Sequence, residues 1–353
     1  MQTIILSNYL IQIDNLQQTF QQHLQEQKYT KIIVLTDQHT HTHCLNKFTQ
    51  LTGLHNFPEI TIPAGEIHKN IITCQQIWQG LFDAGADRKS LLVCLGGGVI
   101  GDMGGFCAAT YKRGIAFIQV PTTLLSQVDS SIGGKLGIDF GQVKNSVGVF
   151  ANPAAVFISR DFLYTLPERE IRSGFSEMLK HALIANANQW TRLAKILALD
   201  YAALDKMHQE LAPSLMVKKR IVKTDPFEMG IRKALNFGHT IGHAIESMSL
   251  ETDKPLLHGE AIAIGMICES YLSEQILNMS GLKEITHTLL RFYGKYDISH
   301  FKRSHLIDIM QQDKKNEGGQ INFTLLTAIG FAEINQTAPH DLISKALDYY
   351  QAL

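Results

Sequence analysis

Short apolar runs alternate with segments of helical periodicity over the first 160 residues of the chain. Five of the runs have the length and the β-branched content of buried strands: 31–37, 59–63, 91–95, 116–120 and 155–159. Apolar spacing typical of a helix follows two of them, at 70–85 and at about 99–112. Strands that alternate with helices favour a parallel sheet covered on both faces. We therefore predict an α/β domain over residues 1–160.

The pattern changes after about residue 160. Helical periodicity dominates six segments: 167–200, 201–223, 233–249, 257–280, 282–293 and 303–312. One short β-rich piece, at 321–326, interrupts them. We predict a second, mainly α-helical domain over residues 161–353.

Composition narrows the class of protein. The chain has 353 residues, of which 45% are hydrophobic and 18% charged, as expected for a globular protein with a large core. Its 32 Lys and Arg against 33 Asp and Glu do not favour nucleic acid or an anionic membrane as a partner. No apolar run reaches the roughly 18–20 residues of a membrane span. Five cysteines without a CxxC pair indicate reduced thiols, so we expect a cytoplasmic protein without a signal peptide.

A glycine-rich segment follows the predicted strand 91–95. Gly96 to Gly101 match GxGxxG between a strand and a helix, where glycines let a pyrophosphate approach the backbone and the helix N-terminus attracts its charge. The usual fingerprint also has an acidic residue about twenty positions later. Here the acidic residue at a strand end is Asp37, on an earlier strand. The glycine segment therefore has two interpretations: a dinucleotide site whose acidic residue lies on an earlier strand than usual, or a tight structural turn.

Histidines form the second candidate site. His239 and His243 lie four residues apart, so they share one face of a helix, and His258 follows in a similar setting. Two imidazoles one turn apart can both bind a divalent metal, or one can bind it while the other transfers a proton. Core packing or surface polarity are the alternatives. Thr240 stands where a zincin protease needs glutamate, which argues against that class.

Charged residues near these motifs suggest an anionic substrate. Glu177 and Lys180, three apart on an apolar helix, are either a solvent salt bridge or part of the site, because glutamate with two histidines is a known catalytic metal set. The segment 122–135 is a long polar loop after a strand, and Leu136 excludes a P-loop at its end. Six cations in or near the motifs could together neutralise a phosphate and a carboxylate: Arg113, Lys135, Lys144, Lys218, Arg232 and Lys314.

In this order the motifs resemble those of 3-dehydroquinate synthases, from about Asp37 to Lys315. The matching segments are PAGE with Lys69, GGGVIGD, YKRG, QVPTTLLSQVDSSIGGK, LNFGH with His243, and HGE at His258. The resemblance implies a Rossmann-like N-terminal domain, a helical C-terminal domain and a homodimer. It also implies conversion of the sugar phosphate 3-deoxy-D-arabino-heptulosonate 7-phosphate to 3-dehydroquinate and phosphate, with catalytic NAD and a divalent metal, Zn or Co.

The same resemblance implies roles for single residues. It replaces the His239/His243 pair by Glu177, His239 and His258 as metal ligands, with His243 as a proton-transfer residue. The implied NAD-binding residues are Asp37, Glu66, Lys69, Gly97, Gly98, Val99, Asp102, Thr122, Thr123, Leu125, Asp129, Lys144, Thr165, Leu166 and Glu170. The implied substrate and catalytic residues are Arg113, Asp129, Lys135, Asn145, Lys180, Lys218, Arg232, Asn236 and Lys314, with Arg113 reaching across the dimer. The six cations are expected to converge on the substrate in a cleft between the domains.

Two departures lie beside the substrate lysines. Asp139 and Phe140 stand where the commoner family pattern has asparagine and histidine. Related sugar-phosphate cyclases differ mainly at such substrate contacts. The iron-dependent alcohol and glycerol dehydrogenases share the two-domain plan but release NADH, and a neutral polyol would not need the cations at Lys135, Lys144 and Arg232.

Overall fold

The chain forms two compact units, one up to Pro167 and one from Glu168 onward. The structure is a computed structural model, and it describes residues 2–6, 8–141, 143–312 and 320–353. Among these residues, no helix is both long enough and apolar enough to cross a membrane. All five cysteines are buried and unbridged.

A twisted sheet with parallel strands organises the first unit. Its strands, in chain order, are β1 (Gln2–Ile5), β2 (Leu10–Ile13), β3 (Ile32–Asp37), β4 (Glu59–Ile62), β5 (Leu91–Gly96) and β6 (Ala116–Pro121), followed after a separate hairpin of β7 (Lys135–Phe140) and β8 (Val143–Phe150) by β9 (Ala155–Ile158). The spatial order is β1-β2-β9-β6-β5-β3-β4, and only the β1–β2 pairing is antiparallel. All five predicted strands are present, and the predicted α/β class is confirmed.

Helices cover both faces of this sheet. They are α1 (Leu16–Gln27), α2 (Gln38–Thr52), α3 (Ile71–Asp83) and α4 (Gly98–Thr110). On β5, Leu92 and Cys94 belong to the core cluster that includes residues of α3 and α4, whereas Leu91, Val93 and Leu95 belong to the cluster that includes residues of α1 and α2. Both faces are therefore apolar, which is why this strand reads as an uninterrupted hydrophobic run.

Sequence patterns missed two pieces of the first unit. The β1–β2 hairpin at its start was not predicted. The segment 122–135, predicted to be a loop, contains a helical turn at Ser126–Ser130, and its last residue begins the hairpin of β7 and β8. Gly137 and Gly148 pair with each other in this hairpin, and a Cβ atom on Gly148 would lie 2.2 Å from the carbonyl oxygen of Leu136. Glycine is required here because the two backbones approach closely. Because glycine is otherwise unfavourable inside strands, its presence argued against a strand in the sequence.

The second unit is mainly helical, as predicted. Its helices are α5 (Glu168–Ala185), α6 (Ala187–Leu193), α7 (Leu204–Gln209), α8 (Leu211–Thr224), α9 (His239–Ser249), α10 (His258–Leu277), α11 (Leu282–Tyr293), α12 (Arg303–Gln311) and α13 (His340–Ala352). The buried helix α10 packs against α5, α9, α11 and α13. The β-rich piece is strand β10 (Asn322–Ala328), which pairs with the unpredicted strand β11 (Phe331–Thr337).

Candidate active site

The glycine segment of the first unit forms the turn from β5 into α4. Helix α4 begins at Gly98, and Gly97 is its N-cap residue. A Cβ atom on Gly96 would lie 2.5 Å from the Cβ of Ile100, and one on Gly97 would lie 3.1 Å from Cγ2 of Thr123. The first amides of a helix have no intrahelical acceptor and attract anions. This turn therefore fits a pyrophosphate, and tight packing explains at least one of its glycines.

A buried lysine joins three of the predicted site residues beside this turn. Lys69 is 4% exposed, and its Nζ atom lies 2.7 Å from Oδ2 of Asp102 and 2.6 Å from Oδ1 of Asn145. Oε1 of Glu66 is 3.9 Å away. Burial lowers the pKa of Lys69, but the charges of Asp102 and Glu66 outweigh burial and raise it. The lysine is therefore a stable cation at this position.

Asp139, one of the two departures from the family pattern, supports this lysine cluster. Its Oδ1 atom accepts a hydrogen bond of 2.7 Å from the backbone N–H of Asn145, and its own N–H donates to the carbonyl of Lys69 at 2.8 Å. Asn145 has a φ of 51°, in the left-handed region. The carboxylate thus holds Asn145 in the backbone conformation from which its side chain contacts Lys69.

Other residues predicted for the first unit are spread over several of its elements. Asp37 ends β3 and caps α2, because its Oδ1 accepts from the N–H of Thr40 at 2.8 Å. Oγ1 of Thr123 lies 2.8 Å from Oγ of Ser126, and Oγ1 of Thr165 lies 3.5 Å from Sγ of Cys44. Val99 lies in the first turn of α4, and Arg113 is an exposed residue with a left-handed backbone after α4. The other predicted residues lie after β6 (Thr122, Leu125 and Asp129), in the hairpin (Lys135 and Lys144) and at the end of the unit (Leu166).

Three histidines meet in the second unit. His239 is the first residue of α9, His243 lies one turn later, and His258 is the first residue of α10. One nitrogen of each lies within 4.8 Å of the others. The ring centroids are 5.0 Å apart for His239 and His243 and 5.4 Å for His239 and His258. The three histidines singled out in the sequence therefore lie together in the structure, and their roles stay predictions.

A buried carboxylate from α5 completes the cluster. Glu177 is 0% exposed, and its Oε1 atom lies 3.6 Å from Nε2 of His239 and 3.8 Å from Nε2 of His258. Around a tetrahedral zinc with bonds of about 2.0–2.1 Å, neighbouring ligand atoms are roughly 3.3 Å apart. These separations are too long for strong hydrogen bonds and fit a set of ligands around one divalent ion. Lys180, itself 1% exposed, forms a close ion pair with Glu177.

In the rings of His239 and His258, the Nδ1 atoms lie near acceptor oxygens. Nδ1 of His239 lies 3.1 Å from the carbonyl oxygen of Phe237, and Nδ1 of His258 lies 3.1 Å from Oε2 of Glu246. Burial lowers the pKa of His258, but the carboxylates of Glu177 and Glu246 outweigh burial and raise it to about 9. A hydrogen bond at Nδ1 leaves Nε2 as the coordinating atom, as in metal centres generally. The arrangement can therefore hold a metal and keep its ligands oriented.

The predicted substrate residues of the second unit include further buried cations. Lys218 on α8 is 4% exposed, and Arg232, whose Nη1 donates to the carbonyl of Pro226 at 2.5 Å, is 2% exposed. Asn236 donates to Oε1 of Glu228 at 3.0 Å. The backbone N–H of Arg232 also donates to Oδ2 of Asp225 at 3.0 Å. Lysine and arginine can form charge-assisted hydrogen bonds with phosphate and carboxylate groups, so the two residue types are compatible with an anionic ligand. Burial raises the pKa of Glu170 on α5, and Lys314 lies outside the described residues.

Sequence reasoning assigned no role to two carboxylates that the structure ties to this site. Glu246 was visible only as a further residue on the histidine face of a helix, three positions after His243. Glu269, within an apolar stretch of α10, accepts hydrogen bonds from the start of α9. A lone acidic residue in an apolar helix is the signal that would have found it, since a buried carboxylate needs donors.

Family models for 3-dehydroquinate synthases match most of the chain. The family model described as 3-dehydroquinate synthase N-terminal matches residues 59–173, and the C-terminal model matches residues 174–316. The 3-dehydroquinate synthase of Parabacteroides distasonis is 42% identical over 341 residues, which is 96% of each chain.

Solved structures of two sugar-phosphate cyclases share the fold. A 2-deoxy-scyllo-inosose synthase complexed with carbaglucose-6-phosphate, NAD+ and Co2+ has a TM-score of 0.87 at 23% identity, covering 99% of both chains. A 2-epi-5-epi-valiolone synthase from Streptomyces hygroscopicus with NAD+ and Zn2+ bound has a TM-score of 0.85 at 22% identity, covering 100% of this chain and 99% of the other.

Proposed function

The chain belongs to the 3-dehydroquinate synthase family, and on that premise we propose that it converts 3-deoxy-D-arabino-heptulosonate 7-phosphate to 3-dehydroquinate and phosphate, a step of the shikimate pathway. The observation that supports this reaction most directly is the meeting of Glu177, His239 and His258 next to the buried cation Lys180. A metal-ligand set beside a cation suits a hydroxylated, anionic substrate.

The proposed cofactors are NAD and one divalent metal, Zn or Co, as in the two cyclase structures. Glu177, His239 and His258 would hold the metal, and the turn at Gly97 and Gly98 would receive the pyrophosphate of NAD. The metal would supply a Lewis acid for a substrate hydroxyl, and NAD would supply a reversible hydride acceptor. We assign NAD binding to residues 1–160 and metal and substrate binding to residues 161–353.

The chain's own residues would position the substrate and move protons. The ring centroid of His243 lies 5.0 Å from that of His239, and an imidazole at this position would accept a proton from the substrate and return it. Lys218 and Arg232 would bind the anionic ends of the substrate, because charge-assisted hydrogen bonds to phosphate and carboxylate are strong. Fixing both ends also keeps intermediates in a reactive geometry.

We further propose a cytoplasmic homodimer and the hairpin as its contact. In the described part of the chain, β8 pairs with β7 alone, so its outer edge presents backbone donors and acceptors. Phe140, Val143 and Phe150 are 65%, 61% and 53% exposed. An edge of this kind favours pairing with another strand, and a second copy offers an identical one. Size measurement of wild type and Val147→Lys in solution tests it: the variant should shift to monomer.

One assay tests the reaction. The purified protein is incubated with the heptulosonate phosphate, a divalent metal and NAD+ at a small fraction of the substrate concentration, and phosphate release and product identity are followed. Many turnovers per NAD+, with 3-dehydroquinate as product, are expected. NADH that accumulates one to one with product would instead support the dehydrogenase alternative.

A further inference from the structure

Helix α10 delivers a fully buried carboxylate to the start of the histidine helix α9. Glu269 is 0% exposed. Its Oε2 atom accepts a hydrogen bond of 2.6 Å from the N–H of Gly238, and its Oε1 atom accepts one of 3.1 Å from the N–H of Ile241. Both oxygens of one side chain thus bind the backbone on either side of His239.

These amides are ones that α9 cannot satisfy itself. The first intrahelical bond of α9 runs from the N–H of Gly242 to the carbonyl of Gly238, so the preceding amides have no acceptor within the helix. The N-cap position is Gly238, with a φ of 79°, and glycine has no side chain to cap with. A carboxylate is favoured there by the helix dipole. Glu269 therefore does from another helix what an N-cap side chain usually does.

Close packing brings this carboxylate within reach. Gly265 lies one turn before Glu269 on α10, and a Cβ atom there would be 1.9 Å from the carbonyl oxygen of Gly238. A Cβ atom on Gly242 would be 3.0 Å from the carbonyl oxygen of Ala261. The two helices are in backbone contact at these glycines, so Glu269 spans the short remaining distance to the start of α9.

We propose that Glu269 is a positioning residue for the metal centre, an inference that rests on the proposed function. His258 opens α10 and His239 opens α9, so the spacing between these two ligands depends on how the helices are joined. Phe237, whose carbonyl holds the ring of His239, is adjacent to Gly238. By fixing Gly238 and Ile241, Glu269 sets both the backbone of His239 and the orientation of its ring.

The test uses Co2+ binding to the metal-free full-length protein, followed by visible absorption, in wild type and Glu269→Gln. Glutamine keeps the size of the side chain but turns an N–H₂ group towards one of the amides. Loss of a residue that orients a ligand typically weakens metal binding roughly 10- to 100-fold. We expect such a loss together with a changed visible spectrum. Cys268→Ala, equally buried and adjacent on α10, is the control and should leave both unchanged.

The outcomes separate this inference from the proposed function. Wild-type Co2+ affinity and spectrum in Glu269→Gln, or equal losses in Glu269→Gln and Cys268→Ala, would overturn the inference alone. A wild-type protein that binds no Co2+ would overturn the proposed metal centre, and the inference with it.

A second measurement needs no variant and so does not depend on whether Glu269→Gln folds. Hydrogen exchange of metal-free wild type should show protected amides at Gly238 and Ile241, since Glu269 and not the metal holds them. Rapid exchange there would also overturn the inference.

Discussion

The imidazole of His258 points its Nδ1 atom at Oε2 of Glu246, 3.1 Å away, while its Nε2 atom lies 3.8 Å from Oε1 of Glu177. One ring is thus held between two carboxylates from different helices. Glu246 sits on α9 and His258 opens α10. The contact therefore joins α9 and α10 at the proposed metal ligand His258.

Glu246→Gln should lower the pKa of His258 in the metal-free protein from its value of about 9, because one of the two carboxylates that outweigh burial becomes neutral. Titration of the ring signals by NMR, assigned with His258→Ala, measures this. Glu251→Gln removes an exposed carboxylate just after α9 and serves as the control. An unchanged pKa in Glu246→Gln would contradict the prediction.

Metal content and turnover should separate in two histidine variants. His258→Ala removes a proposed ligand and should abolish stoichiometric metal binding. His243→Ala should retain the metal and lose roughly 10²–10⁴-fold in kcat, the usual contribution of a positioned proton-transfer group. Metal analysis and steady-state assays of both proteins test the assignment. Loss of metal in His243→Ala with retention in His258→Ala would reverse the two roles.

Lys69 and Asp102 should be coupled in stability. Lys69→Met leaves the Asp102 carboxylate without its closest cation and should reduce the free energy of unfolding by about 1–3 kcal/mol. The double variant Lys69→Met/Asp102→Asn should lose less unfolding free energy than the two single variants lose together. NAD+ binding should be weakened in all three variants, because each lacks a predicted cofactor residue. Denaturant unfolding and NAD+ titration give the two quantities. Strict additivity of the unfolding free energies would disprove the coupling.

Asp139 should tolerate asparagine but not alanine. Asp139→Asn keeps an acceptor for the N–H of Asn145, so substrate KM should change little. Asp139→Ala removes the acceptor and releases the left-handed backbone of Asn145, so kcat/KM should fall by about tenfold or more. Steady-state kinetics of both variants suffice. Equal losses would show that the negative charge, and not the hydrogen bond, is what this position supplies.

Lys135→Met should weaken substrate use without weakening NAD+ binding. The loss of a charge-assisted contact worth about 1.5–3 kcal/mol corresponds to a fall of roughly 10–200-fold in kcat/KM. Arg113→Ala should cause a similar fall in kcat/KM only in the dimer, because the family resemblance implies that Arg113 reaches the active site of the other protomer. Kinetics at several protein concentrations, together with NAD+ titration, provide the measurement. A matching loss of NAD+ affinity would reassign Lys135 to the cofactor.

The central strands β3, β5, β6 and β9 were predictable from the sequence because their burial on both faces makes them apolar runs. The edge strand β4 was predicted as well, whereas β1 and β2 were not. The β7–β8 hairpin was not, because Gly137 and Gly148 serve backbone contact and most of β8 is exposed. Strand β11 was missed because none of its residues is fully buried and its sequence lacks an apolar run. Among the site residues, helical spacing identified His239 and His243 as neighbours. The apolar helix around Glu177 and Lys180 marked Glu177 as a candidate, but only the family resemblance gave it the role of a ligand. No local pattern could supply Glu269, whose partners are backbone amides.

The glycine contact between α9 and α10 limits how this protein can diverge. Gly238, Gly242 and Gly265 leave no volume for even a methyl group, so drift at these positions would separate the helices and with them the histidines they begin with. The hairpin around Asp139 and Phe140 has no such restriction at its exposed positions. We expect descendants of this chain to acquire new substrates through the hairpin while inheriting the histidine helices unaltered.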